Sequence, residues 1–286
     1  MDIIQIFKNA QKGKYAIGQF NISTDEQIKA IVETAKDLKS PIIIATSESE
    51  RKFIGAKQAV ALVESWRKET GLSIILNADH CKSFESAKEA IDAGYDMVQF
   101  DGSSLSFEEN VKTTKQVLEY AKGKNPDIVV EAELGYLRGG SEIHKEKIEI
   151  KEEDLTKPEE AKKFVEVTNI DALAVVIGNL HGIQAESKKL FLDRLKEIQE
   201  AVPNTLLVLH GGSDTQEKDI KKAIKLGIVK ININTELRVA YSDALEKEIK
   251  EHPEEVRPYK ILAPVIEETK KVVAKKITLF GSRGKA

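Results

Sequence analysis

The chain has 286 residues, 41% hydrophobic and 32% charged, with a net charge of −3. That composition supplies a full core and a well-solvated surface, and the length suits one α/β barrel spanning residues 1–286. No basic face is evident, which argues against nucleic acid as a partner, and the longest apolar run, Ala172 to Ile177, falls far short of a membrane span of roughly 20 residues. Cys81 is the sole cysteine, so no disulfide forms within the chain, as expected in a reducing cytosol. The N-terminal Met-Asp-Ile-Ile-Gln-Ile-Phe-Lys lacks the charged-then-apolar pattern of a signal peptide, and a cytoplasmic protein is expected.

In chain order, short and nearly continuous apolar runs predict eight strands: Tyr15–Phe20, Pro41–Ala45, Ser73–Ala78, Met97–Asp101, Ile128–Glu133, Ala172–Ile177, Leu206–Leu209 and Val229–Ile233. Runs of this kind suit parallel strands buried on both faces. Helix signals lie between them. Ser23-Thr-Asp-Glu26 and Ser106-Phe-Glu-Glu109 read as capping boxes, the first followed by the stripe Ile28, Ile31, Val32, Ala35 and Leu38. Gly94 and Gly227 stand where helices should stop. After the eighth strand come a helix over Glu236–Lys250 and a further one near Pro264–Phe280. Eight β/α alternations predict a (β/α)8 TIM barrel with an extra C-terminal helix; an open doubly wound sheet would carry fewer strands and a Gly-x-Gly-x-x-Gly turn. The connection from Leu134 to Lys157 is unusually long and reads as a lid.

Active sites of barrels lie at the C-terminal ends of the strands. Those ends carry Asn21, Ser47, Asp79 with His80, Asp101, Glu133, His181, His210, and Asn232 with Asn234. The chain has five histidines, and three of them end strands, as a catalytic zinc site with an open fourth position would require. His144 and His252 end no strand and are left out. Glycines follow two of the three: His181-Gly182 and His210-Gly211-Gly212-Ser213. With Asn232-Ile-Asn234-Thr235 they occupy the loops after strands seven and eight, the usual phosphate site of this fold.

Longer motifs carry a family resemblance. Gly18-Gln-Phe-Asn21, Asp101-Gly-Ser, Val130-Glu-Ala-Glu-Leu-Gly135, Ile177-Gly-Asn-Leu-His-Gly182, Leu207-Val-Leu-His-Gly-Gly-Ser213 and Lys230-Ile-Asn-Ile-Asn-Thr235 stand in order along nearly the whole chain. The chain resembles the class II, zinc-dependent ketose-bisphosphate aldolases of the fructose-bisphosphate and tagatose-bisphosphate type. The resemblance implies Zn2+ on His80, His181 and His210, polarising a ketose carbonyl. Asp79 matches the aspartate that exchanges a proton with the C4 oxygen, deprotonating the hydroxyl in cleavage. Glu142 matches the lid glutamate that exchanges the proton at the neighbouring carbon, and Glu133 a glutamate that in some members ligates a second divalent ion. Gly182, Gly211, Ser213, Asn234 and Thr235, with Asn232 beside them, match the set that holds the ketose C1 phosphate. Asn21, Ser47, Arg238 and Arg257 match the set at the other phosphate. In the family one such arginine can come from a partner subunit, which implies a homodimer or homotetramer. A monovalent cation, Na+ or K+, belongs to the same expectation.

The chain departs from the family pattern at two places. Asn77-Ala78-Asp79-His80-Cys81 replaces the usual His-Leu-Asp-His, with Cys81 read as a small buried filler. Gln184-Ala185 stands where fructose-type members read Tyr-Lys, removing a lysine from the C1 phosphate; Lys145 and Lys147 add positive charge to the lid. The expectation is cleavage of fructose 1,6-bisphosphate to dihydroxyacetone phosphate and glyceraldehyde 3-phosphate. Tagatose 1,6-bisphosphate, another phosphorylated ketose, and phosphosugar binding without turnover remain alternatives. A zinc hydrolase would want His-x-His at strand one, where Phe20-Asn21 stands.

Overall fold

The computed structural model describes residues 1–184 and 186–286. Eight parallel strands close into a barrel in chain order: β1 (Ile17–Asn21), β2 (Ile42–Thr46), β3 (Ile74–Cys81), β4 (Met97–Phe100), β5 (Val129–Leu134), β6 (Ala172–Val175), β7 (Leu206–Leu209) and β8 (Ile228–Ile233). β8 returns to pair with β1, so no edge is left open. Around them run α1 (Ile3–Gly13), α2 (Asp25–Leu38), α3 (Glu48–Ile54), α4 (Ala56–Thr70), α5 (Phe84–Ala93), α6 (Phe107–Lys124), α7 (Pro158–Thr168), α8 (Leu192–Ala201), α9 (Glu217–Lys225), α10 (Thr235–Glu251) and α11 (Pro258–Phe280). Among the described residues, no helix is long and apolar enough to cross a membrane.

The barrel interior is built in two chemical zones. Strand side chains alternate between faces. Near the N-terminal ends the inward positions are apolar: Ile17, Ile43, Ile75, Met97 and Val129 pack with Ile3, Phe7 and Ala10 of α1. That helix plugs the bottom of the barrel. It was not among the expected elements, although Asp2 caps it by accepting from the Gln5 N–H and its buried residues recur at helical spacing. Further along β1, β3, β4, β5 and β8 an inward position turns polar yet stays buried: Gln19, Asn77, Gln99, Glu131 and Lys230. Such groups persist in a core only when paired. Asn77 Nδ2 donates to Gln19 Oε1 at 2.8 Å, and Lys230 Nζ donates to Glu131 Oε2 at 2.6 Å.

The C-terminal helix differs from expectation in its start. α11 begins at Pro258 and runs through Pro264. An internal proline removes one helical hydrogen bond and costs about 3 kcal/mol in an exposed helix. Here Val265, Thr269, Val273, Ile277 and Phe280 bury one face of the helix, which offsets that cost.

The Lys230–Glu131 pair is fully buried. Replacing Lys230 with Met strands the carboxylate, and unfolding of the metal-free protein in urea should show a loss of about 3–5 kcal/mol. Lys147→Met, which breaks the exposed pair with Glu186, should leave the midpoint in place. Equal midpoints for both variants would contradict the pairing argument.

Candidate active site

The site begins with an irregularity in β3. In a regular strand Asp79 and His80 would face opposite sides. The register against β4 shifts between Ala78 and Cys81, and His80 takes a φ of 50°. This bulge brings both side chains to the wall of one cavity. A left-handed backbone at a non-glycine residue costs about 1 kcal/mol or more and is typical of functional positions. The conformation is held by the His80 N–H donating to Gln99 Oε1 and by the Asp101 N–H donating to Cys81 O at 2.8 Å.

His181, after β6, and His210, at the end of β7, complete a triad whose ligating nitrogens lie within 4.8 Å of one another. Carboxylates set the orientation of two rings. His80 Nδ1 lies 2.8 Å from Asp101 Oδ2, and His210 Nε2 lies 2.7 Å from Glu131 Oε1. Ionised carboxylates only accept, so these two ring nitrogens donate. The remaining nitrogens, His80 Nε2 and His210 Nδ1, face each other at 3.0 Å. In neutral rings both would present lone pairs, an arrangement that requires a proton or a metal cation between them. Burial works against a charge on His80, but Asp79, Asp101 and Glu133 outweigh it and lift its pKa to about 10. Burial, with repulsion from His80 and His210, pushes His181 well below the usual imidazole range, so that it stays a neutral ligand. The donor set therefore fits a divalent metal ion with carboxylate-backed imidazoles.

A second group, His80, Asp101 and Glu133, also converges within 4.8 Å. Glu133 accepts from Gln99 Nε2 at 2.8 Å. Burial, reinforced by Asp101, drives its carboxyl well above the usual range, an environment that a second cation would reverse.

A cavity of about 290 Å³ opens over the triad. Its wall contains Asn21, Ser47, Asp79, His80, His181, Gly182, Gly211, Ser213, Asn232, Asn234, Thr235 and Arg238, all expected from sequence. His210 is buried beside them, within reach of Asn232. Asp79 accepts from Asn21 Nδ2 at 2.9 Å and from Asn232 Nδ2 at 3.1 Å. Burial alone would raise its pKa; His80, His210 and Lys230 outweigh that and hold the carboxyl ionised, far below its ordinary range. Asn232 Oδ1 is buried and has no donor among the described residues, leaving an acceptor at the cavity wall. A larger hollow of about 850 Å³ lies by Met1, Arg67 and Asp127 beside α1, at the opposite end of the barrel, and contains none of the strand-end groups.

One end of the cavity is a cradle of backbone donors. Gly182 and Gly211 have φ of 87° and 62°, and a Cβ at either would meet backbone oxygen, Gly140 O at 2.6 Å or Leu180 O at 2.2 Å. The N–H groups of Gly182, Gly211 and Ser213 donate to no protein acceptor among the described residues. α10 starts at Thr235, in the wall of the same space, with no cap from Asn234; the Glu236 N–H of its first turn donates to Ser213 Oγ at 3.3 Å. Free N–H groups at glycines and a helix N-terminus make an anion site.

The far end differs. Arg238, Asn21 and Ser47, matched by resemblance to a second phosphate, all converge on Glu50, which is 4% exposed. Glu50 accepts from Arg238 Nη2 at 2.6 Å, Asn21 Nδ2 at 2.9 Å and the Ser47 N–H at 2.7 Å. Arg257 is not in this cavity; it is exposed at the start of α11 and pairs with Glu255.

The expected lid lies across the rim. Ile143 bridges to Ile183, and Arg238 Nη1 donates to Ser141 O at 3.0 Å. Glu142 lies outside the cavity wall, its side chain 73% exposed. His144, left out on sequence grounds, tucks beneath the lid with Nε2 3.0 Å from both Gly140 O and His181 O. Lys147 pairs with Glu186 on the surface. Of the Gln184-Ala185 departure, Gln184 Oε1 accepts from the Ile148 N–H at 3.1 Å, while Ala185 lies outside the described residues. Cys81 is buried, with its thiol pushed up to about 11 by burial, as a filler would be.

Sequence reasoning missed four groups that matter here. Glu131 and Lys230 carried a legible signal, since charges at inward positions of apolar runs must be paired. Glu50 was hidden in the capping box of α3. Lys188 looked like part of a surface run, yet it is 3% exposed. Burial lowers its pKa to about 8 against the raising influence of Asp214 and Glu236.

Comparison with known proteins shows the family and the fold. A family model described as fructose-bisphosphate aldolase class-II matches residues 1–285. The sulfofructosephosphate aldolase of Alkalicoccus urumqiensis is 38% identical over 283 residues, covering 98% of this chain and 96% of that protein. The YdjI aldolase of Escherichia coli K12 superposes with a TM-score of 0.84 at 33% identity, covering 100% of this chain and 98% of the other. The fructose-bisphosphate aldolase of Campylobacter jejuni shares the fold, with a TM-score of 0.83 at 24% identity over 99% of this chain and 95% of the other.

Asp101 orients His80 without touching a ligating nitrogen of the triad. Asp101→Ala should weaken metal binding by about 10–100-fold, measured by competition with a chromogenic chelator. Unchanged affinity would show that the carboxylate does not set the ring.

Proposed function

Because the chain belongs to the class II fructose-bisphosphate aldolase family, and is thereby an aldehyde-lyase, we propose that its barrel mouth cleaves a phosphorylated ketose with zinc held by His80, His181 and His210. The observation that carries this reading is the placement of Asp79 in one cavity with His80, whose ring nitrogen opposes that of His210, and with the N–H cradle. When bound there, zinc would supply Lewis-acid polarisation of the ketose carbonyl.

The remaining work falls to the chain. The cradle of Gly182, Gly211, Ser213 and Thr235 takes the C1 phosphate and places the sugar carbon chain toward Asp79. Asp79, fixed by Asn21 and Asn232, accepts the C4 hydroxyl proton as the C3–C4 bond breaks; the C4 oxygen becomes the aldehyde and the electron pair stays on C3. A proton is then delivered to C3. Glu142 is the donor in this reading, which requires the lid to turn its exposed carboxyl inward. Dihydroxyacetone phosphate leaves with a second, aldehyde fragment. Arg257, remote from its own cavity, serves the site of a neighbouring subunit in a homodimer or homotetramer.

Fructose 1,6-bisphosphate is the substrate that the family name supports, with glyceraldehyde 3-phosphate as the second product. Glu50 favours a further reading. It neutralises Arg238 at the far end, where a second phosphate would bring a charge of about −1.5 to −2 against a buried carboxylate. A sulfonate carries less charge, and a relative at 38% identity is a sulfofructosephosphate aldolase. Sulfofructose phosphate is therefore the second substrate to be measured.

Dialysis against a chelator should abolish cleavage and zinc should restore it, while Asp79→Asn should lower kcat by about 10²–10⁴-fold with metal content unchanged. Full turnover in either the metal-free protein or the variant would overturn the mechanism. Glu50→Gln should shift the kcat/KM ratio toward the bisphosphate and away from the sulfonate. An unchanged ratio would remove Glu50 from the selection of the far group.

A further inference from the structure

Lys188 is a buried ammonium with an unusual set of partners. Its Nζ donates to Leu180 O at 2.7 Å, Gly182 O at 2.6 Å, Gly211 O at 3.1 Å and Ser213 O at 2.6 Å. No carboxylate of the described residues lies within 4.0 Å of it. A ring of backbone carbonyls is the coordination that an alkali or ammonium ion takes. Three of these residues, Gly182, Gly211 and Ser213, also line the cavity, and their own N–H groups have no acceptor. Each of the three thus turns its carbonyl to the lysine and keeps a donor free on the cavity side. The lysine is anchored from behind: its N–H donates to Asp214 O, its carbonyl accepts from the Gln216 N–H, and it bridges to Thr215.

Burying an ammonium without an acid is costly. Hydrogen bonding to four carbonyls recovers part of that cost but leaves the charge uncompensated. An anion in the adjoining cradle would compensate it. We propose that Lys188 is a tethered cation that sets the phosphate cradle from behind and takes the place of a free monovalent ion, so that this protein binds phosphate and turns over without added Na+ or K+. This rests on the reading of the Gly182–Gly211–Ser213 end as the phosphate site. Lys188 is a positioning residue: it acts through the loops after β6 and β7 and lies outside the cavity wall. The monovalent cation expected from family resemblance is thereby supplied covalently by the chain.

The test compares the zinc-loaded protein with Lys188→Gly and Lys188→Met. Salts of tetramethylammonium, ammonium and potassium are used at matched ionic strength and neutral pH. Two readouts are taken: turnover of the phosphorylated ketose, and thermal protection by inorganic phosphate, which does not depend on catalysis. The parent protein should behave alike in all three salts. In tetramethylammonium, Lys188→Gly should lose about tenfold or more in kcat/KM, mostly through KM, together with its protection by phosphate. Ammonium or potassium should restore both in Lys188→Gly, but not in Lys188→Met, whose side chain fills the space. Three results would each overturn the proposal: a parent protein that needs potassium or ammonium, a Lys188→Gly variant fully protected by phosphate in tetramethylammonium, or a defect that neither ion relieves. If the variants do not fold, the salt comparison on the parent protein decides. If phosphate protection follows the expected pattern while no ketose phosphate is cleaved, the aldolase reading fails and the role of Lys188 stands.

Discussion

Two ring nitrogens that face each other across 3.0 Å, His80 Nε2 and His210 Nδ1, impose the constraint on which this site depends. Their orientation follows from the opposite side of each ring, where Asp101 and Glu131 accept. Those acids have supports of their own. Asp101 also accepts from Ser103 Oγ at 2.6 Å, and Glu131 is balanced by the buried Lys230. The chain of dependence runs from a neutralised charge pair in the middle of the barrel, through a carboxylate, to an imidazole that can only be satisfied by a cation. The bulge at His80 is the backbone counterpart of the same arrangement, since it brings Asp79 and His80 to the wall of one cavity.

The two ends of the cavity use charge in opposite ways. At the cradle, backbone N–H groups and the start of α10 present partial positive charge, with the Lys188 ammonium behind them. At the far end, the positive charge of Arg238 is already engaged by Glu50. A net charge of −3 provides no general attraction for an anionic sugar, so recognition depends on these local groups. In the proposed reading, this asymmetry would make the cradle the anchor for the C1 phosphate and the far end the place where substrates are distinguished. Lid contacts are coupled to both ends, because Arg238 holds Ser141 while the Glu142 carbonyl accepts from the Ile183 N–H beside the cradle.

Much of this was legible in the sequence. Parallel strands buried on both faces write themselves as apolar runs, and the polar residue closing each run marks the rim; this is why all eight strands and most of the cavity wall could be read directly. Segments whose burial depends on tertiary placement were harder. α1 is amphipathic but short, and its role as a plug exists only once the barrel is closed. α11 runs through Pro264 because packing outweighs the local penalty. Lys188 reads as one of two adjacent surface lysines, and nothing local indicates that carbonyls of its own loop after β6 and of the loop after β7 together enclose it. Glu142 and Arg257 illustrate the converse: motif resemblance assigns them to the reaction, while this conformation of the chain leaves both turned to solvent.

The claim most worth testing is that His80, His181 and His210 together hold one metal ion and that Cys81 does not. X-ray absorption at the zinc edge, on protein loaded with one equivalent, measures this directly. The account predicts three imidazole nitrogens at about 2.0–2.1 Å, a further light-atom ligand, and no sulfur. A sulfur shell at about 2.3 Å, or a shell without imidazole scattering, would contradict it.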